Sequence, residues 1–390
     1  MKKALCFILS LVAAGLLVYN NDEFFEIADN VLNFSHSIEW EEFSAQKSNL
    51  GSKYKNHFNA LDDNQKKAYN NILSEILSAT EAFPSAIEVP YMTGDELTEV
   101  FEAVIYDNPE IICIGRDNKI LTDGDLCYFQ PNYIMTPAEQ KEINASVSKK
   151  CDEILSLIPQ NATLYDKELF IHDYIVNKCV YDTDVTDKSS TAYSCIVEGL
   201  SACEGYSKAA KILLEKAGIE CYSISGKAKN FDGNIEGHMW NIVNIDGEYY
   251  HLDITWDDPT APDGKQTLSH LFMNVSDEEI SADHSEYISD FKCTSNKANY
   301  FVKSGKLFSS FDDADYTRLK KLIAKCENKH IEIKFANSKA YKSATDYLIN
   351  NGKIYRLLRS VNKTYGTKFS TESIKYIDSP ERNTLELFFN

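Results

Sequence analysis

The stretch GHMWNIVNIDGEYYHLDITWDDP, residues 237–259, decides the fold. Two runs in which apolar and polar residues alternate flank Asp246-Gly247, a dipeptide typical of a tight two-residue hairpin loop. If these two residues form the loop, Ile245 lies opposite Glu248, and the pairing of every other residue follows. The sequence therefore predicts an antiparallel hairpin of defined register.

This register places His238 and Asp253 on the same face as diagonal neighbours, within reach of each other's side chains. Trp240 and His251 share that face. The opposite face is apolar enough to lie on a core; it carries Met239, Val243, Ile245, Tyr250, Leu252 and Ile254. One face is predicted to build the domain, and the other to present an imidazole beside a carboxylate.

A cysteine, Cys203, stands at the predicted start of a helix in SACEGYSKAAKILLEKAGI, residues 201–219. The unpaired N–H groups and positive dipole end of a helix N-terminus stabilise a thiolate. The small residues Ala202 and Gly205 are expected to leave room for a substrate near the sulfur. The same position also suits a buried thiol, or a disulfide partner of Cys195.

Together, Cys203, His238 and Asp253 supply a nucleophile, a base and a group that orients the base, which is the set needed for acyl transfer. The Cys203 N–H is the expected first donor to an oxyanion. Taken singly, His238 also fits a structural histidine and Asp253 a solvated strand end. We predict a substrate cleft lined by Tyr193, Trp240 and Trp256, with His251 as a neighbour of the site.

These motifs resemble the transglutaminase-like superfamily, in particular its exported bacterial branch. That branch has the motifs Cys-Glu-Gly-Tyr, Gly-His-x-Trp-Asn and Asp-x-Thr-Trp-Asp, and this chain has CEGY, GHMWN and DITWD at corresponding places. The segments YDKELFIHDYIVNKCVYD and YDNPEI are also similar to that branch. The resemblance covers roughly residues 160–260 and implies that Cys203, His238 and Asp253 are the catalytic residues.

The resemblance implies a papain-like α+β core and thiol chemistry on amides, although the superfamily includes cross-linking transferases, peptidases, amidases and inactive scaffolds. Because no amine-binding pocket is evident in the sequence, we expect hydrolysis of a protein or peptide substrate from the cell wall or the extracellular space. The alternatives are a protein-glutamine acyl transferase and a non-catalytic extracellular binding protein. The oligomeric state stays open.

The 390 residues are enough for two or three domains. We predict a signal peptide over 1–20, an α-rich N-terminal domain over 21–158, a catalytic domain over 159–292 and a small α/β module over 293–390. Expected details include short strands in EIICIG and LCYFQPNYIM, a hairpin in FKCTSNKANYFVKSGKLF, and one helix in KSATDYLINNGKIYRLLRSVNKTYG. The fold class is α+β.

The start of the chain, MKKALCFILSLVAAGLLVYNNDEFF, has the layout of a secretory signal, with two lysines before an apolar run that is short for a membrane span. We therefore expect a secreted or cell-surface protein, with an uncleaved anchor as the alternative. The formal net charge of −19 argues against nucleic acid as a partner.

Loss of Cys6 with the signal would leave nine cysteines, so at least one stays outside a disulfide. Because no spacing is C-x-x-C, we predict no zinc site from cysteine pairs, and no metal or cofactor is expected. The Asp257-Asp258 pair lacks the spacing of a calcium loop. His172-Asp173 is interpreted as a structural pair on an apolar helix face.

Overall fold

The computed structural model describes residues 51–230, 233–259, 267–326 and 329–389. The predicted signal peptide over 1–20 lies outside these residues. Within the described ranges, no helix combines the length and the apolarity that crossing a membrane requires.

The first described part is helical with a small sheet of order β1-β3-β2. Its elements are α1 (Asn56–Ala60), α2 (Asp63–Ser78), β1 (Ile87–Val89), α3 (Gly94–Asp107), β2 (Lys119–Asp123), β3 (Leu126–Gln130) and α4 (Pro137–Leu155). Helices α2, α3 and α4 each begin with a reciprocal capping box, formed in α4 by Thr136 and Glu139. The strand predicted in EIICIG is wrong, since this segment makes only one isolated bridge, between Ile114 and Tyr133.

The central part places a helix against a five-stranded antiparallel sheet of order β10-β6-β7-β8-β9. Its elements are α5 (Leu164–Lys178), β4 (Val180–Tyr181), a π-helical turn (Ser194–Glu198), β5 (Leu200–Ser201), α6 (Cys203–Lys216), β6 (Glu220–Lys229), β7 (Ile235–Ile245), β8 (Glu248–Leu252), β9 (Met273–Val275), α7 (Asp277–Ile280) and β10 (His284–Ser285). Helix α6 packs against β6 and β7, where the Ser207 hydroxyl donates to the Trp240 carbonyl at 3.0 Å.

The hairpin between β7 and β8 has the predicted register, with Ile245 opposite Glu248. Both loop residues, Asp246 and Gly247, have positive φ, as a type I′ turn requires. Strand β8 ends at Leu252, earlier than predicted, because the following residues turn back on themselves. The face predicted to be apolar does lie in the central core, which includes Val243, Ile245, Tyr250, Leu252 and Ile254.

The last part is an α/β arrangement around a sheet of order β11-β12-β14-β13. The short helix α8 (Tyr300–Lys303) precedes this part. Its elements are β11 (Leu307–Phe308), α9 (Asp313–Lys325), β12 (His330–Phe335), α10 (Ser338–Thr345), α11 (Lys353–Tyr365), β13 (Ile374–Ser379) and β14 (Thr384–Phe389). The hairpin predicted over 291–308 is wrong: that segment forms α8, and β11 pairs with β12 in parallel. The single helix predicted from Lys342 is broken at Gly352, which has a positive φ.

The three largest hydrophobic clusters lie within 61–129, 147–301 and 308–389, and two small ones lie around Trp240 with Cys293 and around Phe272. Polar contacts join the C-terminal sheet to the central part. Lys334 Nζ donates to Glu279 at 2.5 Å, and Arg382 donates to Asp283. The predicted domain boundaries themselves stay predictions.

Candidate active site

Cys203 is the first residue of α6 and is partly exposed. The residue before it, Ala202, has extended backbone and no side chain that can cap the helix. Helices α2 to α5, in contrast, all begin with a side-chain capping box. The first N–H groups of α6 are therefore not occupied by a cap and lie beside the sulfur.

His238 on β7 and Asp253, the first residue after β8, form the base and its orienter. His238 Nε2 donates to Asp253 Oδ2 at 2.7 Å, and Asp253 is fully buried. Cys203 lies close enough to His238 to help raise the pKa of this imidazole. Because Nε2 is committed to Asp253, Nδ1 is the nitrogen left for the thiol. The structure thus brings the three predicted residues together.

The electrostatics favour a charged His238. Burial opposes the imidazolium, but the charge and hydrogen bond of Asp253, with a further contribution from Cys203, raise the pKa of His238 to about 10. Burial also favours neutral Asp253, yet His238 and then His284 hold the pKa of this carboxyl well below its usual range. At neutral pH the site therefore holds an imidazolium, the partner that a thiolate needs.

His284 is a site residue that the sequence analysis missed. Its Nε2 donates to Asp253 Oδ2 at 3.0 Å, and its Nδ1 lies 2.6 Å from Asp283. Asp283 in turn accepts from Arg382. A chain of hydrogen-bonded side chains, Arg382–Asp283–His284–Asp253, therefore runs from the C-terminal sheet to the triad. No local pattern marks His284, because β10 reaches the site only through sheet pairing with β6.

The residues predicted to line the cleft occupy different places. Trp256 is half-buried and its ring lies 5.6 Å from that of His238, which suits a cleft wall. Trp240 does not line the cleft: it is 1% exposed and stacks beneath His238, because its N–H donates to buried His251 at 3.0 Å. Tyr193 packs on the central core.

Two expectations around the thiol are corrected. Gly205 does not leave room for substrate; a Cβ there would lie 2.6 Å from the Thr191 carbonyl, so the glycine allows the helix start to approach the preceding loop. Cys203 and Cys195 both carry free thiols, and Cys195 hydrogen-bonds to Cys179 in the core rather than approaching Cys203. The structure therefore does not support a disulfide at Cys203.

The Asp257-Asp258 pair is held by protein groups. Asp257 accepts from His172 Nε2 at 3.1 Å and from the Phe272 N–H at 2.9 Å. Asp258 accepts from the Tyr206 hydroxyl at 2.6 Å. These contacts fix the loop that follows Asp253, and they give the two carboxylates different partners rather than one shared ion.

A cavity of about 270 Å³ lies beside the start of α6. Phe101 and Phe129 contribute to its apolar walls, and Arg116 stands at its polar edge. Glu204, the residue after Cys203, lines the same cavity and lies 3.3 Å from the Arg116 guanidinium. The cavity is therefore built jointly by the first part of the chain and the central part. Cys203, which precedes Glu204 in the chain, is not one of its lining residues.

Residues 156–254 match the family model of the transglutaminase-like superfamily. Among curated proteins, none matches the chain significantly. Similar solved structures include a TGase, with 15% identity over 36% of this chain and 44% of that chain and a TM-score of 0.24. Another is a Cytophaga hutchinsonii protein described as a "putative cysteine protease", with 12% identity over 36% of this chain and 61% of that chain and a TM-score of 0.24. A third is a Parabacteroides distasonis protein described as a "putative protease", with 9% identity over 70% of this chain and 61% of that chain and a TM-score of 0.23. This chain spans about half the length of the solved chains that it matches.

Proposed function

Because residues 156–254 form a transglutaminase-like superfamily domain, we propose that this protein is a cysteine hydrolase that cleaves amide bonds through an acyl-enzyme on Cys203. The observation that carries the proposal is the 2.7 Å hydrogen bond from His238 to buried Asp253, beside a thiol at an uncapped helix start. A nucleophile, a base and an orienter in this relation are the requirement for thiol acyl transfer.

In the first half of the proposed reaction, the Cys203 thiolate attacks the amide carbonyl carbon while His238 carries the proton. The oxyanion that forms is stabilised by the N–H of Cys203 at the α6 start. When the C–N bond breaks, His238 Nδ1 gives its proton to the leaving amine. In the second half, water attacks the thioester, His238 accepts a proton from it, and the carboxylic acid product leaves with release of the thiolate.

The substrate proposed is a peptide or protein whose residue next to the cleaved bond enters the cavity beside α6. Its apolar walls suit an apolar side chain or an aliphatic stem. The formal net charge of −19 favours encounter with neutral or basic substrates over acidic ones.

Acyl transfer to an amine is a second candidate, and it is favoured by one observation. Glu102 and Glu204 both line the cavity at the start of α6, and burial, followed by the charge of Glu204, raises the pKa of Glu102. Glu204 is already paired with Lys208 at 2.7 Å and with Arg116 at 3.3 Å. Glu102 is therefore the carboxylate that a protonated amine in the cavity would pair with. An amine bound there would replace water in the second half of the reaction.

The test is competitive labelling with iodoacetamide, followed by product analysis on a peptide library with and without an added lysine peptide. Cys203 should be labelled faster than partly buried Cys326. His238→Ala should remove this advantage, whereas Cys326→Ser should leave the labelling rate of Cys203 unchanged. Equally slow labelling at both thiols would refute catalysis and favour a binding protein. Free carboxylate products support hydrolysis, and isopeptide products support transfer.

Export is part of the proposal, on the strength of residues 1–20 alone. A secreted product that begins near residue 21 by N-terminal mass analysis is the expected result. Recovery of the full-length chain in the membrane fraction would favour the uncleaved anchor.

A further inference from the structure

A cluster of three side chains outside the triad surrounds a single point. His172 Nδ1 lies 2.9 Å from Asp173 Oδ1, and His270 Nε2 lies 3.0 Å from the same oxygen. These donor atoms all lie within 4.8 Å of one another. His172 and Asp173 belong to α5, whereas His270 precedes β9, so folding is what brings the three together.

The second nitrogen of each imidazole faces a buried carboxylate. His172 Nε2 donates to Asp257 at 3.1 Å, and His270 Nδ1 donates to Glu332 at 2.9 Å. Hydrogen bonds of this kind fix the tautomer of a metal-binding histidine, because they leave the lone pair of the other nitrogen directed at the ion. In the ion-free structure the remaining nitrogen of each ring donates a proton to Asp173 Oδ1, at 2.9 Å from His172 Nδ1 and 3.0 Å from His270 Nε2. Loss of that proton leaves a neutral imidazole whose lone pair is directed at the point shared with Asp173.

The two other groups of potential ligands in the described part of the chain lack this property. In one, the Trp240 N–H donates to His251 Nδ1, so His251 Nε2 carries the proton that it donates to Asp277. Because the other ring nitrogen accepts from Trp240, loss of the Nε2 proton would leave an imidazolate, so the neutral ring offers an ion no lone pair at Nε2. The other group contains His238 and Asp253 and belongs to the triad itself.

We propose that His172 Nδ1, His270 Nε2 and Asp173 Oδ1 bind one Zn²⁺ ion. Two imidazoles and a carboxylate suit zinc, and bonds of about 2.0–2.2 Å in a tetrahedron place donors about 3.3 Å apart. The observed separations of 2.9 and 3.0 Å need to widen by only a few tenths of an ångström. A proton carried by either ligand nitrogen passes to solvent when the ion binds.

The surroundings leave a path for the ion and a fourth ligand. The Asp173 side chain is 34% exposed, so water can reach the shared point and complete the tetrahedron. The His270 ring stacks on Tyr300 with 3.7 Å between ring centres, which fixes its plane. The side chains of both histidines are almost fully buried.

The position of the cluster assigns the ion a structural role. Through Glu332 it is linked to β12 of the C-terminal sheet, and through Asp257 to the loop that begins with Asp253, whose carbonyl accepts from the Asp257 N–H at 3.2 Å. Zinc would therefore hold the C-terminal sheet and the triad's carboxylate loop to α5. This inference is independent of whether the triad is catalytic.

The experiment measures zinc in the full chain without a histidine tag, by metal analysis and by calorimetric titration after chelation. One equivalent of Zn²⁺ should bind, and Co²⁺ should give tetrahedral d–d absorption without a thiolate charge-transfer band. Asp173→Asn and His270→Gln should lose the site, while Asp277→Asn, a change in another histidine–carboxylate pair, should retain it. Circular dichroism confirms that each variant is folded.

Glu332→Gln decides the matter if ligand variants do not fold, because it keeps the shape and removes only the carboxylate behind His270. It should weaken zinc binding about 10-fold to 100-fold. Unchanged affinity in Glu332→Gln would overturn the proposal, as would a folded wild-type chain that binds no stoichiometric zinc. Loss of binding in Cys203→Ser instead would place the ion at the thiol and also overturn it.

Discussion

Replacing Asp253 by Asn tests the electrostatic reasoning about the triad. The carboxylate is the largest of the influences that raise the pKa of His238 to about 10 against the effect of burial. Asn keeps the shape of the side chain but carries no charge. The imidazolium that the proposed mechanism requires should therefore be destabilised.

The size of the effect follows from the contact. A charge within hydrogen-bonding distance moves a pKa by about 1 to 3, so the equilibrium constant for forming the thiolate–imidazolium pair from the neutral thiol and imidazole should fall about 10-fold to 1,000-fold. A histidine with a raised pKa keeps its proton until the pH passes that value. The high-pH limit of amide cleavage should thus fall from near pH 10 in the wild type to a lower pH in Asp253→Asn.

Two assays report this change: the rate of Cys203 alkylation near pH 6.5, and the pH profile of peptide cleavage. The control is Glu386→Gln, which removes a carboxylate 3.3 Å from His330 in the C-terminal sheet and should alter neither measurement. An Asp253→Asn protein that is folded and has a wild-type alkylation rate and pH profile would refute the role assigned to Asp253.

Three further predictions follow from single contacts. His284→Phe keeps a ring but removes the 3.0 Å donor to Asp253, so kcat/KM should fall about 10-fold to 100-fold and recover partly in His284→Gln; no change in kcat/KM would contradict a positioning role. Gly205→Ala forces a Cβ to within 2.6 Å of the Thr191 carbonyl, so thermal unfolding should show a loss of about 1–3 kcal/mol, and a loss below 0.5 kcal/mol would contradict the close packing. Burial raises the pKa of Glu168 from 4.5 to about 8 in the folded state, so the free energy of unfolding falls as the pH rises above 4.5. In denaturant unfolding, Glu168→Gln should therefore raise the free energy of unfolding by about 3 kcal/mol at pH 7 and change it little at pH 4.

Local sequence was sufficient for the hairpin and for two members of the triad. Asp246-Gly247 fixes a turn whose geometry depends only on its own residues, and the register then places His238 near Asp253 without further information. The helix start at Cys203 is likewise a local property. For this reason the three residues were predictable although they are far apart in the chain.

The contacts that depend on distant pairing were not predictable. His284 reaches Asp253 because β10 pairs with β6, which no spacing in the sequence indicates. Apolar and polar residues alternate over 291–308, which is typical of strands. The same alternation also arises here because Cys293 and Phe301 are buried in two different clusters. Trp240 shares a face of the strand with His238, as predicted. Trp240 is buried because other segments of the chain cover that face.

Helix α6 lacks the side-chain cap that stabilises α2 to α5, and this absence suits the chemistry proposed at Cys203. Helices α2 to α5 have a side-chain cap of a kind that contributes about 0.5–2 kcal/mol, whereas Ala202 gives α6 none. A capping oxygen there would accept from the N–H groups that are needed for an oxyanion, and a capping carboxylate would repel a thiolate. Because α6 is stabilised instead by burial of Tyr206 and Leu213 in the central core, it can leave its first turn open at Cys203.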